Sequence, residues 1–327
     1  MIKVSAPGKI HLLGEHSVVY GKPAIIAAID LRLTVTIRPL SSVIATPPWR
    51  GKQSSSTVED SSLIVQNDKI KEIFEPIVKK HLKIKTIPPY KLEISSQIPI
   101  GSGLGSSAAV SVAYITALLS FLKYKWDLNL INQLSFEAEK VFHGNPSGGD
   151  NSTVCFGGLI WFRKESPELK IIQPLEFSIP ANLARNFVLI NTGTPKESTK
   201  EMVEMVSAKC KVQSAKFRKL FDDQEQLVRK LLSVIKEGDE NQLISIIRAG
   251  EKNLESMGVV SSYAANIIRK IEKAGGAAKI CGAGGKTKAT GILLCYHPNP
   301  SIIKTIAKSF TLDYIQTSLG VEGLRQE

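Results

Sequence analysis

Cysteine is scarce in this chain of 327 residues: Cys155, Cys210, Cys281 and Cys295 stand far apart, with no Cys-x-x-Cys pair and no histidine at metal-ligating spacing. The pattern excludes a disulfide scaffold and a structural zinc site, and fits buried thiols in a reducing, cytoplasmic compartment. Long hydrophobic runs are missing too. The longest nearly apolar stretch, 108–122, is interrupted by Ser111, Tyr114 and Thr116 and is too short for the about 30 Å of a bilayer core, so it reads as a buried helix. Met1 to Gly8 lack the apolar core and cleavage site of a signal peptide, and export is not expected. Aromatics make up only 6% of the chain and do not interleave with a basic block. The net charge of +12 therefore reads as solvated surface, with no nucleic-acid or membrane partner and a modest attraction for small anions such as nucleotides. Asn151-Ser152-Thr153 matches a glycosylation acceptor, a reading that loses its basis without secretion.

What is present in quantity is glycine at informative places. Pro99-Ile100-Gly101-Ser102-Gly103-Leu104-Gly105-Ser106-Ser107-Ala108-Ala109 lies between a predicted strand and that apolar helix. Glycines at alternate positions let the backbone take positive φ and let successive N–H groups converge on one anion. A helix starting at Ser106 or Ser107 would aim its free N–H groups at the same point, which suits phosphate. Two better-known phosphate loops do not fit. A Gly-x-Gly-x-x-Gly fingerprint needs glycine where Ser106 stands, and a Walker loop ending at Gly285-Lys286-Thr287 needs glycine where Ile280 stands. Taken alone, the loop is open between a phosphate cradle and a plain turn leading into a helix.

Length suggests two domains at about 150 residues each. Residues 3–6 read as a short strand running into Pro7-Gly8-Lys9 and two turns. Leu33, Val35 and Ile37 alternate with Thr34, Thr36 and Arg38 as a half-buried strand, and 90–95 alternates again. The serine-rich segment 41–62, with Pro47-Pro48, is read either as a loop lying over a site or as a passive insertion. Helical spacing predicts helices over 63–82, 107–122 and 128–143, the last stopped by Gly144, with 145–151 as a sharp turn holding Asp150. The pattern restarts near Pro180, giving expected domains of 1–180 and 181–327. The second comprises a strand at 187–191, helices over 200–236, 241–256 and 262–274, strands at 277–280 and 290–296 around Gly282-Ala283-Gly284-Gly285, a helix from Ser301 and a strand near Asp313.

Three patches in this order, Ala6-Pro7-Gly8-Lys9, Pro99 to Ala109 and Gly282-Ala283-Gly284-Gly285, resemble the motifs of the GHMP kinases, which include galactokinases, homoserine kinases, mevalonate kinases and phosphomevalonate kinases. Within that superfamily the chain is similar to the mevalonate kinases through the run Gly8 to Lys22 and through His143-Gly144-Asn145-Pro146-Ser147-Gly148-Gly149-Asp150-Asn151. Galactokinases follow Gly-Glu-His with an aspartate, where this chain has Ser17 and the apolar Val18 and Val19; homoserine kinases lack the aspartate that Asp150 supplies. The third motif departs from the family in continuing with Lys286-Thr287-Lys288, two cations that either meet nucleotide phosphates or face solvent.

The resemblance implies an α+β, two-domain GHMP kinase fold, with an N-terminal ribosomal S5 domain 2-like half and a C-terminal ferredoxin-like half. It implies ATP-dependent phosphorylation of the 5-hydroxyl of mevalonate, with Mg²⁺ as cofactor. Carried over residue by residue, Asp150 and Lys9 are the catalytic pair, and Lys9, Glu15, His16 and Asp150 contact substrate. Pro99, Ile100, Gly101, Ser102, Gly103, Leu104, Gly105, Ser106, Ser107, Ala108 and Ala109 hold the nucleotide. Glu139 and Ser107 bind the metal, with Ser106 as the competing hydroxyl. Glu137 points about 200° around the helix from Glu139. Another alcohol-phosphorylating member of the superfamily, or a nucleotide-binding regulator without turnover, are the competing readings, and a homodimer is one of the assemblies left open.

Overall fold

The computed structural model describes residues 1–40, 61–99, 103–143, 146–166 and 169–327. Residues 41–60 of the serine-rich segment 41–62, the loop residues Ile100, Gly101 and Ser102, and Gly144 and Asn145 lie outside the described residues, and Ser61 and Ser62 already belong to the helix that follows.

The first sheet is six-stranded. Strand β1 (Ile2–Leu13) pairs antiparallel with β2 (Ala24–Pro39) along nearly its whole length. The long β2 accepts β3 (Tyr90–Ser96) at its far end and β4 (Leu159–Lys164) at its near end, and β5 (Lys170–Pro174) closes that edge. Beyond Ile37 and Leu33, whose alternation with Thr34 and Thr36 was legible, β2 is buried on both faces over Ala24–Ile29. Helices from both halves of the chain contact β2, and a strand covered in this way carries no period-two signal.

The expected stop of β1 at Ala6 does not occur. The strand continues through Pro7, Gly8 and Lys9 to Leu13, with register shifts between Pro7 and Gly8 and between His11 and Leu13. A bulge accommodates the missing proline donor. Gly8 is needed for a different reason: a Cβ there would lie 2.9 Å from the Leu104 carbonyl oxygen.

Helix α1 (Ser61–Leu82) packs against the two helices that follow it, α2 (Ser106–Phe121) and α3 (Leu128–His143), and α2 runs beneath the sheet as the central buried element, touching β1 and β2. Because neighbours surround α2, Val112, Tyr114, Ile115, Leu118 and Leu119 are all fully buried and no polar stripe remains. Each such aliphatic side chain contributes about 1.5–3 kcal/mol, and truncating Leu118 to alanine would cost about 2–5 kcal/mol. The segment expected as a turn over 145–151 is shorter than that: α4 (Gly149–Phe156) begins at Gly149, behind Gly148 at φ 87°, so Asp150 lies in the first turn of a helix.

The second half starts with a short helix α5 (Ala181–Ala184) and builds a four-stranded antiparallel sheet from β6 (Phe187–Asn191), β7 (Ala277–Ile280), β8 (Ile292–Tyr296) and β9 (Asp313–Thr317), in the order β7-β8-β6-β9. The single helix expected over 200–236 is two, α6 (Thr199–Val212) and α7 (Ser214–Glu237), broken at Gln213 (φ −120°, ψ 49°). No glycine or proline marks the break, and α6 folds back on α7. Helices α8 (Glu240–Met257), α9 (Ser262–Lys273) and α10 (Pro300–Ser309) complete the unit. Finally β10 (Arg325–Gln326) returns to the first sheet, pairing with Val4 and Ser5 of β1. One apolar core is continuous from α2 through β1 to Val228, Leu243 and Ile292 of the second half. Among the described residues no helix is long and apolar enough to cross a membrane.

Candidate active site

The site forms where β1, the start of α2 and the start of α4 meet. Lys9 donates its backbone N–H to the Leu104 carbonyl of the glycine loop at 2.9 Å. Its side chain then runs over Gly105, where a Cβ would sit 2.6 Å from Lys9 Cγ; Gly105 itself is at φ 80°. Only glycine meets both conditions. The described part of the loop thus leads Lys9 Nζ to within 3.0 Å of Asp150 Oδ2, with the lysine side chain only 8% exposed.

Asp150 is placed by Gly148 and Gly149, the latter packed against Ile26 and Phe162. Burial pushes its carboxyl upward, but the Lys9 charge, followed by His11, outweighs burial and holds it well below the usual carboxylate range. The first turn of α4 adds a favourable helix dipole. The site therefore offers an ionised carboxylate with a clamped ammonium beside it.

Glu139 is buried on α3, 3.4 Å from Ser107 Oγ through Oε2 and 3.1 Å from Ser111 Oγ through Oε1. Glu137 lies on the far side in an exposed pair with Lys140, as the helical angle requires. Among the described contacts it is Ser107, not Ser106, that reaches Glu139. One carboxylate beside a hydroxyl at a glycine loop is the oxygen donor set that Mg²⁺ accepts when phosphates and waters complete its shell. No cluster of three histidine, cysteine or acidic residues that could hold a metal by itself exists among the described residues.

Glu15 and His16 follow β1 at a tight corner built on Gly14 (φ 107°) and leading into a 3-10 turn, Ser17–Tyr20. His16, itself at φ 57°, places Nε2 3.0 Å from the Ala283 carbonyl oxygen, joining the corner to the third glycine motif. Burial lowers its pKa against the opposing pull of that carbonyl and of Glu15. Glu15, one of the residues expected to contact substrate, is 1% exposed and ion-paired with the fully buried Lys279 of β7. The reason is local: the carboxylate follows the corner into the junction of the two halves, where Lys279 also donates to the Ile280 carbonyl. Lys286 and Lys288 are exposed, Lys288 lying over the Tyr263 ring at 5.8 Å.

Two residues at the site had escaped notice, Lys279 and His11, whose Nε2 is 3.9 Å from Asp150 Oδ1. Once β1 is known to extend through residue 11, strand alternation puts His11 on the face of Lys9. Nothing in the sequence pairs Lys279 with a glutamate 264 positions away.

A family model described as GHMP kinases N terminal domain matches residues 68–158. Over 299 residues the chain is 33% identical to a mevalonate kinase of Archaeoglobus fulgidus, covering 91% of this chain and 95% of that protein. It is 31% identical over 345 residues to a mevalonate kinase of Thermococcus sibiricus, covering 100% and 98%. Among solved structures, that of L. major mevalonate kinase in complex with R-mevalonate is similar with a TM-score of 0.76 at 23% identity, covering 96% of this chain and 95% of that one. The Methanococcus jannaschii mevalonate kinase is similar with a TM-score of 0.76 at 20% identity, covering 97% and 98%. At those identities the structures establish the two-domain α+β fold.

Proposed function

The chain belongs to the mevalonate kinase family of the GHMP kinases, and from that membership we propose that it transfers the γ-phosphoryl group of ATP to the 5-hydroxyl of mevalonate, giving 5-phosphomevalonate and ADP. The observation that carries the reading at the level of residues is the Lys9–Asp150 pair held against the glycine loop. Phosphoryl transfer through a loose transition state asks for positioning and charge neutralisation more than for covalent chemistry. Asp150 accepts a hydrogen bond from the attacking hydroxyl and takes its proton late, as the new P–O bond forms, because a carboxylate this acidic cannot strip an alcohol beforehand. Lys9 keeps Asp150 ionised and is near enough to stabilise charge on the attacking oxygen and the transferred group.

The loop 99–109 and the N-terminus of α2 cradle the phosphates of ATP. Glu139 and Ser107 are the residues that would hold Mg²⁺, which when bound supplies neutralisation of phosphate charge. His16 and the half-exposed Val18 line the corner assigned to mevalonate, and Glu15, the residue before His16, anchors that corner to β7 through its ion pair with Lys279. The four cysteines are unpaired thiols, which suits a cytoplasmic enzyme.

ADP release from purified protein with Mg-ATP, measured against mevalonate, phosphomevalonate, galactose and homoserine, tests the reading. Turnover with mevalonate alone is the expected result. Turnover with another of the four would keep the mechanism and change the substrate, whereas nucleotide binding with no turnover would leave a regulator.

A further inference from the structure

We propose that His11 is a positioning residue for Asp150, holding one carboxylate oxygen while Lys9 holds the other. The inference rests on the reading of Asp150 as the catalytic base. Residues 9–11 of β1 pair without interruption with Ala28, Ala27 and Ile26 of β2, the register shifts falling before and after them. Lys9 and His11 therefore project from one face of the strand and Ile10 from the other. Both reach the first turn of α4: Lys9 Nζ lies 3.0 Å from Oδ2, and His11 Nε2 lies 3.9 Å from Oδ1.

The ring's own surroundings decide which nitrogen carries the proton. His11 Nδ1 is buried and has no hydrogen-bond partner among the described residues. A proton placed there would be a buried donor without an acceptor, so the neutral ring keeps its proton on Nε2, the nitrogen that faces Asp150. That N–H is on the nitrogen that lies 3.9 Å from Oδ1. A separation longer than a normal hydrogen bond is common for catalytic contacts before the substrate complex forms. The backbone under the ring is fixed from the opposite side, since Lys279 Nζ donates to the His11 carbonyl at 3.3 Å while pairing with Glu15. Charged groups thus meet His11 from three elements: Lys9 on its own strand, Asp150 on α4 and Lys279 on β7.

The consequence, once that contact closes to hydrogen-bond length in the substrate complex, is a carboxylate restrained from turning. Held by Lys9 alone, Asp150 could rotate about its Cβ–Cγ bond; with a second donor on Oδ1, its remaining lone pairs keep one direction toward the acceptor hydroxyl. Misplacing a reacting group by about 1 Å costs up to about a hundredfold in rate, so a positioning residue of this kind is visible in kcat.

The test compares His11→Gln, whose amide nitrogen reaches the place of Nε2, with His11→Asn, whose amide stops near Nδ1, and with His11→Leu. Each is combined with Asp150→Asn, and kcat, both KM values and the thermal midpoint are recorded. His11→Leu and His11→Asn are expected to lower kcat about tenfold or more with KM for ATP unchanged, and His11→Gln to recover to within about threefold of wild type. In the Asp150→Asn background, His11→Leu is expected to cost nothing further, the non-additivity of two residues that act through one contact. Equal kcat for His11→Gln and His11→Asn would overturn the proposal, as would additive losses in the double variant. Because Gln and Asn carry the same buried amide, a shared folding defect cannot produce the expected difference between them. Full activity of His11→Leu with an inactive Asp150→Asn would remove His11 and leave the base in place; a fully active Asp150→Asn would remove both.

Discussion

Glu15 and Lys279 form an ion pair enclosed on every side, 1% and 0% exposed, and it ties the corner after β1 to strand β7 of the other sheet. Burial alone would lower the lysine's pKa; Glu15, with smaller help from Glu251, reverses that and raises it. A pair of this kind is worth little against an apolar replacement of both members, but removing one member strands a buried charge. Lys279→Met is therefore expected to destabilise the protein by about 3–5 kcal/mol, and Glu15→Gln added to it to recover a large part of the loss. Urea denaturation of the two variants is the check: a single variant as stable as wild type would mean that the junction relaxes to admit water.

A second carboxylate at the same junction gives stability a pH dependence. Glu251 of α8 is fully buried, accepts the Ile280 N–H at 3.0 Å through Oε2 and leaves Oε1 without a partner among the described residues. Burial pushes its carboxyl up to about 8 from 4.5, against the opposing Ile280 hydrogen bond and Lys279 charge. Between those two values the folded chain keeps a proton that the unfolded chain has lost, so this group's contribution is complete below pH 4.5 and declines as pH rises toward 8. Glu251→Gln, which keeps an acceptor for Ile280, is expected to flatten the fall of the thermal midpoint between pH 5 and 8. An unchanged slope would place the titration elsewhere.

Two neighbouring glycines separate backbone strain from side-chain displacement. Gly103 and Gly105 have nearly the same φ, 77° and 80°, but among the described residues a Cβ at Gly103 meets nothing within 4 Å, whereas one at Gly105 strikes the Lys9 side chain. Alanine at either position costs about 1–3 kcal/mol of strain. Only Gly105→Ala is expected to lower kcat by more than about tenfold, because it moves the ammonium that neutralises Asp150. Similar kcat losses for the two variants would show that the loop conformation matters and the Lys9 contact does not.

The contrast between these positions shows what could be read before the fold was known. Element identity was legible where period and punctuation agreed: α3 matches residue for residue, and β6 likewise, because each is bounded by a turn signal and has one buried face or a short buried run. The motifs were legible because glycine and lysine types repeat a known order. What escaped were features created by contact between distant segments. The passage of β1 through Pro7-Gly8 depends on a bulge opposite β2, the break at Gln213 on the packing of α6 against α7, and the inward turn of Glu15 on Lys279. Strand β4 had a local signal, Leu159-Ile160-Trp161-Phe162 after two glycines, and was recoverable.

The Glu139 carboxylate gives a readout that does not depend on the acceptor alcohol. Glu139→Gln keeps the volume and leaves Ser107 and Ser111 with an amide in place of a charge. If this residue holds Mg²⁺, the concentration of metal needed for half-maximal turnover at fixed ATP is expected to rise by about tenfold or more, the scale set by loss of a charged ligand. A metal requirement identical to wild type, with kcat lowered, would assign Glu139 to the architecture of α2 and α3.

Asp150 and Lys9 should differ in how their loss appears. Asp150→Asn is expected to bind ATP almost normally while kcat falls by at least about a hundredfold, since a positioned proton acceptor is gone. Lys9→Met removes the larger of the two influences that hold the Asp150 carboxyl down, and burial, which pushes the other way, remains. In the wild type Asp150 stays ionised far below neutrality, so its protonation cannot shape the rate between pH 5 and 8. In Lys9→Met the carboxyl rises, and the residual activity is expected to fall on the acid side at a pH higher than in the wild type. The variant should nevertheless fold, because Asp150 is 37% exposed and its charge can be met by water when the ammonium is absent. Circular dichroism melts beside kcat-versus-pH profiles separate the cases: an unshifted acid limb would mean that Lys9 serves the phosphates alone, and a collapsed melt would make it a structural lysine.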